Sequence, residues 1–243
     1  MWKSTKKEIS HKISFIVPCY NEDKLVSPLL DTLHQAAQQF FSDFEIIVVN
    51  DGSTDHTRSV LEAYSHQTNF LVLHHPTNRG KGAAIRTALE KHSGTLVVFQ
   101  DADHEYDPAD LPELVRPLLE DRADVVYGSR FLSGKPKRAL YFLHALGNRL
   151  LTTLTNILTG LTLTDMETGY KAIKSEILSS LTLRENRFGI EPELTMKLAR
   201  IKNIRFYEVG ISYYGRSFQE GKKINWKDGL HALYCLLKYR FLT

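Results

Sequence analysis

The feature that most constrains this chain is a unit that recurs from its start: a short apolar run closed by a polar turn, followed by a segment with apolar residues at helical spacing. Ile13–Pro18 (ISFIVP) is one such run, and Glu45–Asn50 (EIIVVN), rich in β-branched residues, runs into Asp51-Gly52. Both are too short for helices and too apolar for surface strands, so they are expected as buried strands. Between them Val26–Phe40 places Leu29, Leu33, Ala36/Ala37 and Phe40 on one helical face, and Ser53–Tyr64 repeats the pattern. Further strands are expected at Phe70–His74, Thr95–Gln100 and Ala123–Tyr127, with helices at about 80–92 and 109–121. Such alternation predicts an α/β fold with a doubly wound, mostly parallel sheet and helices on both faces, whose ligands bind at the carboxyl ends of the strands.

After Gly128 the texture changes to a Leu/Thr helix pattern over Leu140–Leu158 (Leu143, Leu146, Leu150, Leu154, Ile157), then Gly-punctuated segments and a basic, aromatic tail. No repeat, linker or low-complexity tract divides the 243 residues. The expectation is a flexible basic arm over residues 1–12 and one domain over 13–243, with a nucleotide half at about 13–128 and an acceptor half at about 129–243. Hydrophobic content of 42% and charged content of 24% exclude wholesale disorder and a multi-span membrane protein. A formal net charge of +3 gives no case for nucleic acid and is compatible with anionic substrates. Cys19 and Cys235 have no metal or redox spacing, which fits a reducing compartment. Met1–Lys12 has no apolar core of signal-peptide length. The longest uncharged stretch, Leu150–Thr164, is broken by threonines, Asn156 and Gly160 and falls short of the roughly 20 apolar residues of a spanning helix.

Polar residues collect where the strands end. Pro18-Cys19-Tyr20-Asn21-Glu22 follows the first strand, Asn50-Asp51-Gly52-Ser53-Thr54-Asp55 the second, and Asp101-Ala102-Asp103 the strand ending at Gln100. Taken alone, Asp51-Gly52-Ser53 is a turn and helix cap. Two carboxylates one residue apart repel each other unless a cation or a turn separates them, so Asp101 and Asp103 fit either a solvated acidic turn or a hard divalent ion bridging protein to diphosphate. Asn78-Arg79-Gly80-Lys81-Gly82 opens a helix but lacks the third glycine of a dinucleotide fingerprint, since Ile85 stands there, and no P-loop occurs. What remains is a helix start flanked by cations, a phosphate neighbour or a solvated cap.

In order, Val17–Glu22, Val48–Asp55, Asn78–Gly82, Asp101–Asp103, Gly128-Ser129-Arg130-Phe131, Asp165–Lys171 and Tyr214-Gly215-Arg216 with Gly221-Lys222-Lys223 resemble the family 2 glycosyltransferases, specifically the dolichol-phosphate mannose synthase and polyprenyl-phosphate glycosyltransferase branch. The likeness runs from about residue 13 to 229 and implies a GT-A type fold in a single domain. It implies that Pro18, Tyr20 and Glu22 cradle base and ribose, Asp51 holds the base, Val49 lines the pocket, and Asp101, Ala102, Asp103 and Lys222 complete the donor site. Asp101 and Asp103, with Glu105, are the implied ligands of Mg²⁺ or Mn²⁺. Arg130, Arg138 and Arg216 match positions used for acceptor phosphate, with Arg149 an alternative to Arg138, and Asp103, Arg130 and Arg216 are the implied catalytic residues.

The resemblance implies metal-dependent, inverting transfer of a sugar from a GDP- or UDP-sugar to a polyprenyl (dolichyl or undecaprenyl) phosphate. A phosphate monoester has a second pKa near 6, so it is mostly a dianion at neutral pH and needs no general base. Transfer to a saccharide hydroxyl would need one, such as Asp165 or Glu191, although Asp165 also fits a simple cap. The Q-x-x-R-W signature of processive synthases is absent. An inactive nucleotide-binding homologue is the alternative outside catalysis. Lipid access implies a cytoplasmic protein, peripheral on the cytoplasmic membrane face, held directly or through a membrane-protein partner. In Ile224–Thr243, Trp226, Leu230, Leu233, Leu237 and Phe241 form one stripe flanked by Lys227, Lys238 and Arg240, as in an interfacial helix or in a packing helix. For Leu140–Leu158 the same two readings apply, an interfacial helix or one that covers the sheet, and the expected role is to cover the sheet.

Overall fold

The computed structural model describes residues 11–132, 134, 135, 137–139, 142–216 and 226–242, with the side chain of Trp226 outside that description. The expected nucleotide half contains strands β1 (Ile13–Cys19), β2 (Phe44–Asn50), β3 (Phe70–His74), β4 (Leu96–Phe99) and β5 (Val125–Ser129). Helices α1 (Val26–Phe40), α2 (Thr57–Glu62), α3 (Lys81–Leu89) and α4 (Leu111–Leu119) alternate with them. Beyond β5 come α5 (Phe142–Thr159), β6 (Lys171–Lys174), α6 (Ser175–Ser179), α7 (Ile190–Leu198), β7 (Phe206–Gly210) and α8 (Trp226–Phe241).

The strands form one seven-stranded sheet in the order β3-β2-β1-β4-β6-β5-β7. β3, β2, β1 and β4 are mutually parallel, as are β5 and β7, whereas β6 runs antiparallel to β4 and β5. The result is a single α/β domain in which the acceptor half inserts its strands into the sheet of the nucleotide half. β6 and β7 are additions to the five strands expected. β6 has only the sequence KAIK, too short and too polar at its ends to carry a period-2 signal. α2 is shorter than the pattern over Ser53–Tyr64, because Ser53, Thr54 and Asp55 are used in loop hydrogen bonds rather than helical ones.

Strand side chains alternate between two cores. Phe15, Val17, Ile46, Val48, Leu96 and Val98 pack against α1 and α4, while Ile16, Ile47, Val49, Val97 and Phe99 face α3, α7 and α8. In this arrangement β1 is followed on one side by β2 and β3, and the chain then returns to place β4 on the other side. The crevice at the carboxyl ends of β1 and β4 is therefore the switch point where an open α/β sheet receives ligands.

The long helices divide their apolar residues differently from expectation. On α5, Leu151, Leu154 and Leu158 pack on the core and Thr152 and Thr155 are buried, but Leu143, Leu146, Leu150 and Ile157 stand exposed with Phe142. The four-and-three spaced stripe that was expected to cover the sheet thus mostly faces outward. On α8 the buried side is Ala232, Cys235, Leu236 and Tyr239, and Leu230, Leu233, Leu237 and Phe241 are exposed. Among the described residues no helix is long and apolar enough to cross a membrane.

Phe15 is fully buried, with its ring 5.9 Å from that of Phe41 and 6.4 Å from that of Phe44. Phe15→Ala should destabilise the domain by about 3–5 kcal/mol, because a large cavity opens where β1 meets α1. Urea denaturation followed by circular dichroism measures this, and a loss under about 1 kcal/mol would contradict the packing described.

Candidate active site

A cavity of about 350 Å³ opens at the β1/β4 crevice. Pro18 enters it from the end of β1, Tyr20 and Glu22 from the loop that follows, Asp101, Ala102, Asp103 and Glu105 from the loop after β4, Arg130 from the end of β5 and Arg216 from the segment after β7. Most of the expected site residues therefore meet in one place. Val49 and Arg138 are exceptions: neither is part of the wall, and Val49 is fully buried in the core beneath α3. Strand alternation turns it toward the helices rather than toward the strand ends. Lys222 lies outside the described residues.

Asp51 is buried and lines the cavity, but its oxygens also organise the neighbouring loop. They accept hydrogen bonds from the backbone amides of Arg79 (2.9 Å) and Gly80 (2.7 Å) and lie 2.6 Å from His75 Nδ1. The turn after β2 that delivers Asp51 requires Gly52, whose φ of +67° is left-handed and whose Cα backs onto Thr77 and Asn78.

Around the acidic loop, charges alternate. Lys81, at the first turn of α3, pairs with Asp101 (2.7 Å) and Glu191 (3.0 Å), and Glu191 in turn takes Lys171, which is fully buried. Burial alone would raise the Glu191 pKa, but Lys171 and Lys81 outweigh it and hold the carboxyl below its ordinary value. Gly169 completes this corner: any Cβ there would overlap Asp101 Oδ2. On the other side Arg216 donates to Glu22 (3.1 Å) and to Asp103 (3.0 Å). Asp103 is pushed up to about 7 by burial first, then by Asp101 and Glu105, against the opposing pull of Arg216.

Glu105 lines the cavity with both oxygens engaged, one by the Tyr213 hydroxyl (2.7 Å) and one by the Arg216 backbone amide (2.8 Å). The Tyr213 ring lies under the Arg130 guanidinium, 5.2 Å from its centroid. Arg130 itself forms a bidentate pair with Asp165 at 2.6 and 2.7 Å. Asp165 is fully buried and does not reach the cavity wall. Arg138 is outside the wall as well, where its backbone amide and guanidinium donate to the carbonyls of Tyr213 and Gly215. Arg149 is exposed on α5.

The donor set at Asp101 and Asp103 suits a hard divalent cation. Their oxygens share the cavity with the carboxylates of Glu22 and Glu105, against the opposing cations Lys81 and Arg216. After burial, the neighbouring Asp101 and Glu105 charges also raise the Asp103 pKa, and a dication would relieve that repulsion.

Lys81, Glu167, Arg187 and Phe188 also line the cavity without having been assigned a role from sequence. For Lys81 the signal was present in the cation-flanked helix start. Arg187 and Phe188 belong to a loop without a motif, which two helices fix in place. From α3, Arg86 donates to the Glu185 carbonyl (2.5 Å) and Ala83 to the Asn186 carbonyl (3.0 Å). From α8, Lys238 (2.8 Å), Tyr239 (2.7 Å) and His231 (2.9 Å) all reach the Glu185 carboxylate. Glu185, His231 and Cys235 bring possible metal-ligand atoms within 4.8 Å of one another, but an ammonium already on that carboxylate marks the group as an anchor.

Burial, which would raise the Glu185 pKa, is outweighed by these donors, and the pKa falls to about 2 from an ordinary 4.5. A depressed carboxyl stabilises the fold above the unfolded value and loses that contribution as pH falls through the folded one. Glu185→Ala should therefore cost roughly 1–3 kcal/mol at neutral pH, and its deficit should shrink between about pH 4.5 and 2. Denaturation of both proteins across this range measures it; a deficit independent of pH would remove the ionic anchor.

Comparison with known proteins agrees with this geometry. Residues 14–182 match the model of "Glycosyl transferase family 2". The glycosyltransferase AglJ of Haloferax volcanii is 31% identical over 84% of this chain and 63% of its own length. A UDP-N-acetylglucosamine–dolichyl-phosphate N-acetylglucosaminyltransferase of Methanococcus voltae is 28% identical over 93% of this chain and 94% of its own. In fold, the chain is similar to glucosyl-3-phosphoglycerate synthase from Mycobacterium tuberculosis, with a TM-score of 0.74 at 23% identity, covering 96% of this chain and 81% of that one. Structures of that synthase contain UDP with Mn²⁺ or Mg²⁺. The chain thus belongs to glycosyl transferase family 2, the enzymes of sugar transfer.

Proposed function

We propose that this glycosyltransferase moves a sugar from a UDP- or GDP-sugar to a polyprenyl phosphate at the cytoplasmic face of a membrane, with inversion at the anomeric carbon. The observation that carries the acceptor assignment is the link between cavity and surface: the loop bearing Arg187 and Phe188 is gripped by α8, whose opposite face presents Leu230, Leu233, Leu237 and Phe241 to the outside. The dolichyl-phosphate transferase of Methanococcus voltae and an undecaprenyl-phosphate transferase of Serratia proteamaculans support a lipid-phosphate acceptor by their names.

In this reading a phosphate oxygen of the acceptor forms a bond to the anomeric carbon as the bond from that carbon to the donor diphosphate breaks, and the electron pair leaves with the nucleoside diphosphate. No proton moves, because the acceptor is already a dianion. The state of the candidate bases supports this. Asp165 is buried against Arg130, and Glu191 is held ionised between Lys171 and Lys81. Mg²⁺ or Mn²⁺ held by Asp101 and Asp103 would supply electrostatic stabilisation of the departing diphosphate. Pro18, Tyr20, Glu22, Asp51 and Lys222 are proposed to hold the nucleotide, and Arg130 and Arg216, with Arg138 nearby, to orient phosphate groups at the reacting end. Glu105 is proposed to brace Arg216 beside the metal.

The synthase that shares this fold has been crystallised with phosphoglyceric acid, which favours a second reading in which a small phosphate ester is the acceptor. Incubation of UDP- and GDP-sugars with a short polyprenyl phosphate or with 3-phosphoglycerate, in Mn²⁺, separates the two by product mass. Sugar transfer to 3-phosphoglycerate alone would overturn the lipid assignment.

Asp103→Asn is expected to lower transfer about a hundredfold or more, since it removes charge where the metal and diphosphate meet. The check is turnover against metal concentration, with circular dichroism to confirm folding; full activity of this variant in excess chelator would exclude the metal role. For the surface, the unaltered protein should float with anionic liposomes, and Leu233→Glu with Leu237→Glu should reduce flotation. Each basic residue adds only about 1 kcal/mol near such a surface, so salt should release the protein partly. Equal flotation of the two folded proteins would leave attachment to a membrane-protein partner as the better explanation.

A further inference from the structure

Glu167 is set apart from the other carboxylates of the cavity wall by having no assigned partner. Asp101 and Glu191 take Lys81, Asp103 and Glu22 take Arg216, Glu105 takes the Tyr213 hydroxyl, and Asp51 takes backbone amides. Glu167 makes no hydrogen bond or ion pair among the described residues, and its Oε1 is enclosed without a partner. The cations that influence it are already committed, Arg130 to Asp165 and Lys171 to Glu191. Burial first, and then Glu191, pushes its carboxyl up to about 7.

Glu167 as a residue is half-buried, but an enclosed carboxyl oxygen beside a binding cavity without a donor is costly to keep, and it is satisfied when a ligand brings one. The diphosphate cannot do so, because it offers only acceptor oxygens of like charge. The transferred sugar can, since each hydroxyl donates a hydrogen bond to a carboxylate and accepts one from a carboxylic acid. Position is compatible with this: Glu167 lines the same cavity as Asp101 and Asp103 and lies two residues before Gly169, which backs directly onto Asp101.

We propose that Glu167 binds a hydroxyl of the transferred sugar and is the residue through which the cavity selects among nucleotide sugars; this rests on the sugar-transfer reading above. A site built to hydrogen-bond a hydroxyl strongly rejects an analogue that lacks it.

Calorimetric titration tests it. Wild type, Glu167→Ala and Glu167→Gln are titrated in Mn²⁺ with UDP, with GDP and with their glucose, N-acetylglucosamine and mannose conjugates, and then with singly deoxygenated forms of the best conjugate. Glu167→Ala should lose about tenfold or more in affinity for the preferred nucleotide sugar and keep wild-type affinity for the nucleoside diphosphate. One deoxy donor should bind wild type weakly, yet bind Glu167→Ala as well as the complete sugar does. Glu167→Gln, which keeps the volume and one acceptor, should fall between and serves if the alanine variant does not fold. If the variants follow wild type across the deoxy series while wild type prefers a nucleotide sugar, the role of Glu167 is wrong and sugar transfer stands. If wild type binds no conjugate better than the bare diphosphate, the sugar-transfer reading fails and this inference with it.

Discussion

The charge ladder Asp101–Lys81–Glu191–Lys171 joins the end of β4, the start of α3, the first turn of α7 and the start of β6. Each of these elements comes from a different part of the chain; Glu191 and Lys171 are buried charges that would be prohibitive alone, and Asp101 and Lys81 are half-buried. Alternation of sign makes the group tolerable, because every ion is flanked by its opposite. It also fixes the spacing of β4, α3, α7 and β6 on one wall of the cavity. Replacing one member with an apolar residue leaves a neighbouring charge uncompensated, so the ladder has to be kept or lost as a unit.

A second tie, at Arg216, works in the same manner on the opposite wall. Its guanidinium bridges Glu22 from the β1 loop and Asp103 from the β4 loop, while its backbone amide rests on Glu105. The loops after β1 and β4 are thereby held at a set separation by a residue that arrives near the chain's end. Both ties leave an excess of carboxylate oxygen in the cavity, the electrostatic condition for taking up a dication together with an anionic donor.

The nucleotide half was legible because its strands are pure apolar runs and its helices carry a strong one-sided pattern. Pro18, Tyr20, Glu22, Asp51, Asp101 and Asp103 were legible because they sit at the ends of those strands, where topology alone brings them together. β6 and β7 were not, since their short segments obtain their burial from neighbours far away in sequence. Val49 shows the limit of transferring a motif position: the residue lies in the right motif, but period-2 alternation turns it into the core. Arg187 and Phe188 carried no local signal at all, because Glu185 and its partners on α8 place them. The outward leucines of α5 were misjudged for a related reason. Apolar spacing reports a helical face, and which side of the helix meets the core depends on neighbours such as α8, which packs against α5.

The reversed direction of β6 has a consequence for how this enzyme can change. In a purely parallel sheet, residues at the ligand side lie where strands finish, and the following loop must climb away into a helix. Here the segment Asp165–Tyr170 lines the cavity with Glu167 and Gly169 before its strand begins, so the chain passes the cavity on the way into the sheet. Within this segment Asp165 is tied to Arg130 and Gly169 backs onto Asp101, whereas Glu167 has no such tie and can change while the pairing of β6 with β4 and β5, set from Lys171 onward, stays intact. A lineage could retune the sugar it accepts along this entry ramp without rebuilding the scaffold that holds the nucleotide.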